Sequence, residues 1–414
     1  MPRIHAYHLH LPHFGIDTGR NMRLLYGMRI MRDLVNKFTF IFLPIFLFQL
    51  GLKVHWFDSF GLSNLQRGVL MIAIFFLIVR IVVLVSAIPI GRMLSAYGYQ
   101  KGLVIGIAVQ LLAFLCLYYS QEQPMFIWGA MVLEAIQLNF FWNSFYVVLS
   151  KSMNKHHVGQ DLTTMQFLLQ LMAAITPAVS GVLAVAFGIE SLFLFGIVGT
   201  LISLLFAIGL ELGHERDSIS WYELGQWLRE PTYRRLSLSF IGRYFHDVVI
   251  FVWPLYVFLL LGAIDEVGFL YTLSLFLALV VTFFTGFYVA KNTNKKPFMI
   301  SGGLLSLLWF VRTGILSVWS IAFVDMLEKL TANFHWLHFD MQYMRRGKGA
   351  QALSYYTYRE MVMSMGAIMF WLLFALVFLF IPLSWFTIFV VAAVGVLFSV
   401  LVQEAHIVSD HDSE

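Results

Sequence analysis

Residues 132–145 read VLEAIQLNFFWNSF, and residues 326–339 read MLEKLTANFHWLHF. Each sets an acid, polar side chains and a tryptophan into sequence that is otherwise apolar. Aligned without gaps, they share Leu133/Leu327, Glu134/Glu328, Asn139/Asn333, Phe140/Phe334, Trp142/Trp336 and Phe145/Phe339, six of fourteen positions. Leu and Phe matches come cheaply in such a chain; a shared Glu, Asn and Trp do not. The same acid therefore occurs twice, 194 residues apart (328 − 134), and the fold has to account for that repeat.

Composition identifies the solvent. The 414 residues are 60% hydrophobic, 12% charged and 17% aromatic, with a mean hydropathy of +0.79, too little polar surface for a water-soluble globule. A helix needs roughly 20 apolar residues to cross the hydrocarbon core. On that measure twelve spans are predicted, at 28–50, 68–90, 102–120, 125–150, 162–186, 190–212, 238–261, 267–290, 298–318, 320–342, 353–379 and 383–403. Barrel strands would be about half as long and would alternate in polarity, so the predicted class is an all-α polytopic membrane protein. The single cysteine, Cys116, rules out an intrachain disulfide. No phosphate-binding loop or dinucleotide fingerprint is present, so nucleotide drive and cofactors are not expected. The amino-terminal MPRIHAYHLHLPHFG is polar and histidine-rich, unlike a signal peptide.

Basic residues such as Arg92, Lys101, Lys151, Arg234, Lys295 and Arg346 gather in the even-numbered connections, whereas the other side holds only Lys53 and Arg67. By the positive-inside rule both termini are expected in the cytoplasm, with the chain in a bacterial-type inner membrane or a plasma membrane. The net charge of +4 then reflects topology and gives no reason to expect nucleic acid. The predicted organisation is a tail at 1–27, a six-helix bundle at 28–212, a central loop at 213–237, a second bundle at 238–403 and an acidic tail at 404–414. Other segments repeat more weakly. FLPIFLF at 42–48 echoes VWPLYVF at 252–258, GRMLSAYGYQK at 91–101 echoes GFYVAKNTNKK at 286–296, and Gln160 to Thr163 echo Gln351 to Ser354.

Because six is even, both copies enter from the same side, giving two parallel six-helix pseudo-repeats. Twelve spans, internal termini, a long central connection and this repeat resemble the major facilitator superfamily. Gly91, Gly98 and Lys101 match that family's loop between the second and third spans, although Ser95 replaces its acid and Ala96 an arginine. ITPAVSGVLAVAFG at 175–188 is similar to the family's fifth span but lacks the paired glycines of its drug and proton antiporters. The resemblance implies that spans 1, 4, 7 and 10 line a central cavity, helped by 2, 5, 8 and 11. It also implies a transporter rather than an enzyme.

On a helix turning about 100° per residue, Glu134, Asn139, Trp142 and Phe145 fall within an arc of roughly 140°. A charge facing lipid costs several kcal/mol, so Glu134 and Glu328 are expected to face the interior. The candidate substrate- or proton-binding set is Glu134, Asn139 and Trp142 with Glu328, Asn333 and Trp336. The plainer reading has each glutamate neutralise a buried arginine, Arg80 in span 2 or Arg312 in span 9. Lys329 breaks the symmetry and favours Glu134 as the proton carrier. Arg32 and Asp33, Arg243, His246 and Asp247, and Arg359 with Glu360 lie early in spans 1, 7 and 11. They are candidates for a cytoplasmic gate, or else for interfacial anchoring.

Two histidine patterns suggest other chemistry. His5, His8, His10 and His13, or His335 and His338 with Asp340, have metal-ligand side chains, although no metal is expected. His156 to Asp161 matches the H-x4-D pattern of membrane acyltransferases. Three function classes follow. The first is a secondary transporter moving a small molecule by alternating access, coupled to protons or another ion; the second is a lipid or glycolipid flippase; the third, a polytopic enzyme.

Overall fold

The computed structural model of the chain describes residues 20–152, 165, 168–171, 174–212, 216–291, 295–314, 317–347, 351–381 and 384–402. The amino-terminal histidines, the His156 to Asp161 pattern and the Gln160 to Thr163 repeat lie outside them. Every regular element among the described residues is helical; the helices are consistent with the twelve predicted spans, but span 1 starts at Arg20 rather than at 28, and short helices also lie outside those spans, at His55–Phe60 and Trp221–Arg229. Eight are long and apolar enough to cross a membrane.

Span 1 is two helices, Arg20–Phe40 and Leu43–Lys53, broken where Pro44 enters the first turn of the second. A proline has no N–H to continue a helical ladder, so the break falls just ahead of it. Span 2 is Asn64–Tyr97, span 3 Tyr99–Tyr119 and span 4 Phe126–Ser152. Ser63 starts span 2 with a capping box, its hydroxyl accepting from the Gln66 N–H while Gln66 reaches back to the Ser63 N–H. Gly98 alone separates spans 2 and 3, at φ +94°, a conformation in which a Cβ would be strained. What was expected to be a loop from Gly91 to Lys101 is therefore a sharp corner between two helices, with Gly91 inside one and Lys101 exposed on the other.

Span 5 includes Thr176–Phe187; spans 6 to 9 are Ser191–Ile208, Pro231–Leu261, Ile264–Lys291 and Lys295–Arg312. Spans 10 to 12 are Val318–Arg346, Ala352–Phe380 and Ser384–Ser399. The central connection is more structured than a loop. Ser220 caps a short helix, Trp221–Arg229, and span 7 begins at Pro231 rather than at 238, with proline at the helix position where a missing N–H costs nothing. Trp227 anchors the short helix, stacked on Tyr233 at 4.0 Å and donating to the Ser237 hydroxyl at 3.1 Å.

The neighbour relations repeat. Span 3 packs on 4 and 6, span 1 on 6 and span 2 on 4; in the second half span 9 packs on 10 and 12, span 7 on 12 and span 8 on 10. The halves meet along span 2 with span 11 and span 5 with span 8, pairs related by the same pseudo-twofold. We call the side where span 1 begins the basic face.

Bilayer helices associate closely where side chains are small. A Cβ on Gly242 of span 7 would sit 2.4 Å from the Gly395 carbonyl oxygen of span 12, and one on Gly395 would sit 2.8 Å from the Gly242 carbonyl oxygen. Gly242→Ala is expected to destabilise the protein by about 1–3 kcal/mol, read as a lower unfolding temperature in detergent. Gly303→Ala is the control, since nothing lies within 4 Å of a Cβ there.

Candidate functional site

A cavity of about 230 Å³ lies between the halves. Span 1 contributes Arg29, Asp33 and Lys37, spaced by four residues and so on one helical face. Span 5 adds Leu169 and Gln170, span 7 His246, Asp247 and Ile250, and span 8 Leu275. Span 10 closes it with Glu328, Lys329, Ala332, Asn333 and Trp336. The Gln170 amide donates to the Asn333 carbonyl at 2.8 Å, joining the halves across the cavity. Glu328 is held by Lys329 at 2.9 Å, with His246 at 3.6 Å and Arg312 at 3.8 Å.

The repeat first visible in the two Glu-containing stretches extends to their partners in space. In the first half, Arg29 pairs with Asp33 at 3.6 Å and lies over the rings of Trp142 and Phe145, 4.7 and 5.5 Å from their centroids. In the second, Arg243 pairs with Asp247 at 3.3 Å and lies over Trp336 and Phe339 at 5.1 and 5.2 Å. Trp142/Trp336 and Phe145/Phe339 are repeat-related, so each span-1 or span-7 arginine clamps the matching aromatic pair through cation–π contact. Arg32 and His246 complete the correspondence. Arg32 donates to Gln110 at 2.5 Å and to Gln137, whose amide donates to Glu134 at 2.8 Å; His246 stands beside Glu328. The sequence signal was present, in MRIMRD at 28–33 against GRYFHD at 242–247, but only the Arg, the Arg/His and the Asp are informative there.

The other predicted residues are distributed differently from expectation. Glu134, Asn139 and Trp142 share an arc of span 4, yet none lines the cavity. Asn139 is fully buried against span 2, donating to the Val83 carbonyl at 2.8 Å and the Ser86 hydroxyl at 2.9 Å. A helical wheel groups residues by direction but does not say which neighbour lies there. Arg80 does not pair with Glu134; its partner is Glu360 of span 11, at 3.0 Å, with Tyr244 under the guanidinium at 4.7 Å. Arg312 takes Asp325 as its first partner, at 2.6 Å, and Asp325 also accepts from the Trp253 indole at 3.0 Å. Asp325, one turn before Glu328, had no place in the sequence reading.

The early-span charges do not form one ladder between the halves. Asp33 and Asp247 pair within their own helices, and Arg243 also bonds Asp340 of span 10, in its own half. Two contacts do cross: Arg80 with Glu360, and Arg359, whose guanidinium lies 4.7 Å from the ring centroid of Tyr146 in span 4. His335 uses its two ring nitrogens on Ser301 at 3.0 Å and Ser399 at 2.7 Å, so with Asp340 on Arg243 the His335, His338 and Asp340 set does not converge on a metal.

On the basic face the central connection ties the halves together. Ser95, at the position where the resemblance expects an acid, bonds the backbone N–H and carbonyl of Asp217 at 2.8 and 3.0 Å. The Asp217 carboxylate in turn accepts from the Ser354 N–H at 2.9 Å, at the amino end of span 11, where the helix dipole favours an anion. Partial burial pushes the Asp217 carboxyl above its ordinary range, and the bonds from Ser354 pull it back. Asp217→Ala is expected to cost roughly 1 kcal/mol, a value set by one charge-assisted bond in a half-buried place. Thermal unfolding of the variant against Ser218→Ala, an exposed residue whose hydroxyl donates to Glu223, checks it.

Residues 27–324, well over half of the chain, match the Major Facilitator Superfamily. No curated protein sequence matches the chain. Among solved structures, the fold is similar to a variant of the Escherichia coli fucose:proton symporter FucP, with a TM-score of 0.64 at 13% identity, covering 93% of this chain and 98% of that one. It is also similar to the human organic anion transporter MFSD10, with a TM-score of 0.68 at 11% identity, covering 93% and 99%. FucP in the outward conformation gives a TM-score of 0.63 at 12% identity, covering 92% and 97%.

Proposed function

Because the chain belongs to the Major Facilitator Superfamily, we propose that it is a secondary transporter that carries a small polar solute through the cavity between its halves by alternating access, coupled to protons. The observation that carries this reading is the doubled arrangement of Arg29, Asp33, Trp142 and Phe145 with Arg243, Asp247, Trp336 and Phe339. Two like sets, one in each half, supply matched surfaces for rocking about a central site. Among the described residues three cationic and three anionic side chains line the cavity; this supports a water-soluble solute over an acyl chain, and the flippase is our second reading.

Glu134 is our candidate for the coupling carboxyl. Only one of its oxygens is hydrogen-bonded, to Gln137, and the other has no bonding partner among the described residues. Glu328, by contrast, is held by Lys329 with Arg312 and His246 close by. Proton coupling in the solved fucose symporter is a supporting analogy.

The experiment is uptake into proteoliposomes holding the purified chain, with labelled sugars, amino acids and organic acids, under an imposed pH gradient. Glu134→Gln is expected to reduce proton-driven accumulation at least tenfold, about 1.4 kcal/mol or more, while solute exchange persists. Undiminished accumulation with an unchanged pH profile removes Glu134 from the mechanism.

A further inference from the structure

We propose that Lys37 binds the carboxylate of the cargo, and that the cargo is a small hydroxy- or amino-carboxylic acid. The proposal rests on the cavity being the transport site. The cavity's other charges pair off: Arg29 with Asp33 at 3.6 Å, Lys329 with Glu328 at 2.9 Å, and Asp247 with Arg243 at 3.3 Å. Lys37 is left over. It lines the cavity, one turn beyond Asp33 on the same face of span 1, yet among the described residues it has no hydrogen bond and no ion pair within 4.0 Å. Its electrostatic neighbours are Asp33, Lys329, Arg29 and Glu328, the other charges of the same cavity.

A lysine inside a helix bundle is costly without an anion near it, and the carboxylates here are already engaged. The missing anion is therefore supplied by what enters. Gln170 gives the second half of the recognition. Its amide nitrogen is used on Asn333, but its carbonyl oxygen is buried with no donor among the described residues. A buried acceptor left unmade costs about 1–3 kcal/mol, so the cargo should present a hydroxyl or ammonium donor to it. The volume of about 230 Å³ is below the roughly 300–1,000 Å³ typical of sites for drug-sized ligands, which points to a small molecule. A carboxylate for Lys37 and a donor for Gln170 are the two features such a molecule must carry.

The test measures binding of lactate, glycerate, gluconate and alanine to the purified protein by thermal stabilisation, each beside its amide, and lactate beside propionate. It then measures counterflow of the same compounds and of neutral sugars in proteoliposomes. The expected result is stabilisation by at least one acid and none by its amide. Lys37→Met should weaken binding roughly ten- to a hundredfold, the range of a hydrogen bond to a charged group, and Lys37→Arg should retain most of it. Gln170→Leu should remove the preference for lactate over propionate. If Lys37→Met is not recovered folded, the acid-against-amide comparison and Lys37→Arg still decide. Equal binding of acid and amide, or counterflow confined to neutral sugars, overturns the carboxylate proposal and leaves the transporter reading standing. Lipid scrambling with no solute counterflow overturns both.

Discussion

Replacing Arg80 by methionine will destabilise the protein by about 3–5 kcal/mol, the penalty for leaving the other member of a buried ion pair uncompensated. The charge left behind is Glu360, whose side chain is 8% exposed, in a pair whose separation is 3.0 Å. Arg80 also stacks over Tyr244, whose hydroxyl accepts from the Trp371 indole at 3.0 Å, so the loss reaches spans 7 and 11. A second change, Glu360→Leu, should return most of the stability, because an apolar pair of similar size avoids the desolvation that the ion pair suffers. Thermal unfolding of both single variants and the double gives the coupling directly, and a value well above 1 kcal/mol is expected for groups in contact. Additive losses would mean that the pair does not act as one. The pair joins span 2 to span 11, so weakening it should also change how readily the halves separate.

The second large effect separates two residues that the repeat makes equivalent. Arg243→Met will cost about 3–5 kcal/mol, whereas Arg29→Met will cost only about 1 kcal/mol. Both arginines clamp an aromatic pair and a carboxylate on their own helix. Arg243 alone also holds Asp340, whose side chain is 12% exposed against 46% for Asp247, so its removal strands a buried acid as well as an exposed one. Arg29 has Asp33 at 3.6 Å on the cavity wall, where water or cargo can replace it. Solute transport should fall strongly in both variants, since Arg29 lines the cavity and Arg243 holds Asp247 and Trp336, which do. Equal unfolding temperatures for the two would show that Asp340 finds another partner.

The all-helical membrane fold was legible because each span is a local property. About 20 apolar residues between polar punctuation suffice to place one, and a repeated Glu, Asn and Trp suffice to relate the two halves. The partners of the charges were not legible, because a glutamate on one helix can meet any of several arginines once the helices pack. Arg80 with Glu360 and Arg312 with Asp325 are choices of tertiary structure. The doubled Arg and Asp motif was in the sequence but out of step with the proline alignment. Asp33 precedes Pro44 by eleven residues and Asp247 precedes Pro254 by seven, a difference of four residues, about one helical turn. The break after Phe40 lies in that interval of span 1. The role of Lys37 was not legible for another reason: a lysine in an apolar span reads as a snorkelling side chain until the cavity around it is known.

Alternating access is tested most directly by fastening the halves on the face opposite the basic one, where Gln66 of span 2 donates to the Leu379 carbonyl of span 11 at 3.2 Å. In a Cys116→Ala background, Gln66→Cys with Leu379→Cys is joined by oxidation or a short bismaleimide, and the protein is placed in liposomes with labelled sugars, amino acids and organic acids. Uptake of at least one solute should stop when the oxidised link forms and return when it is reduced. Uptake that continues through a complete link would contradict alternating access between these halves.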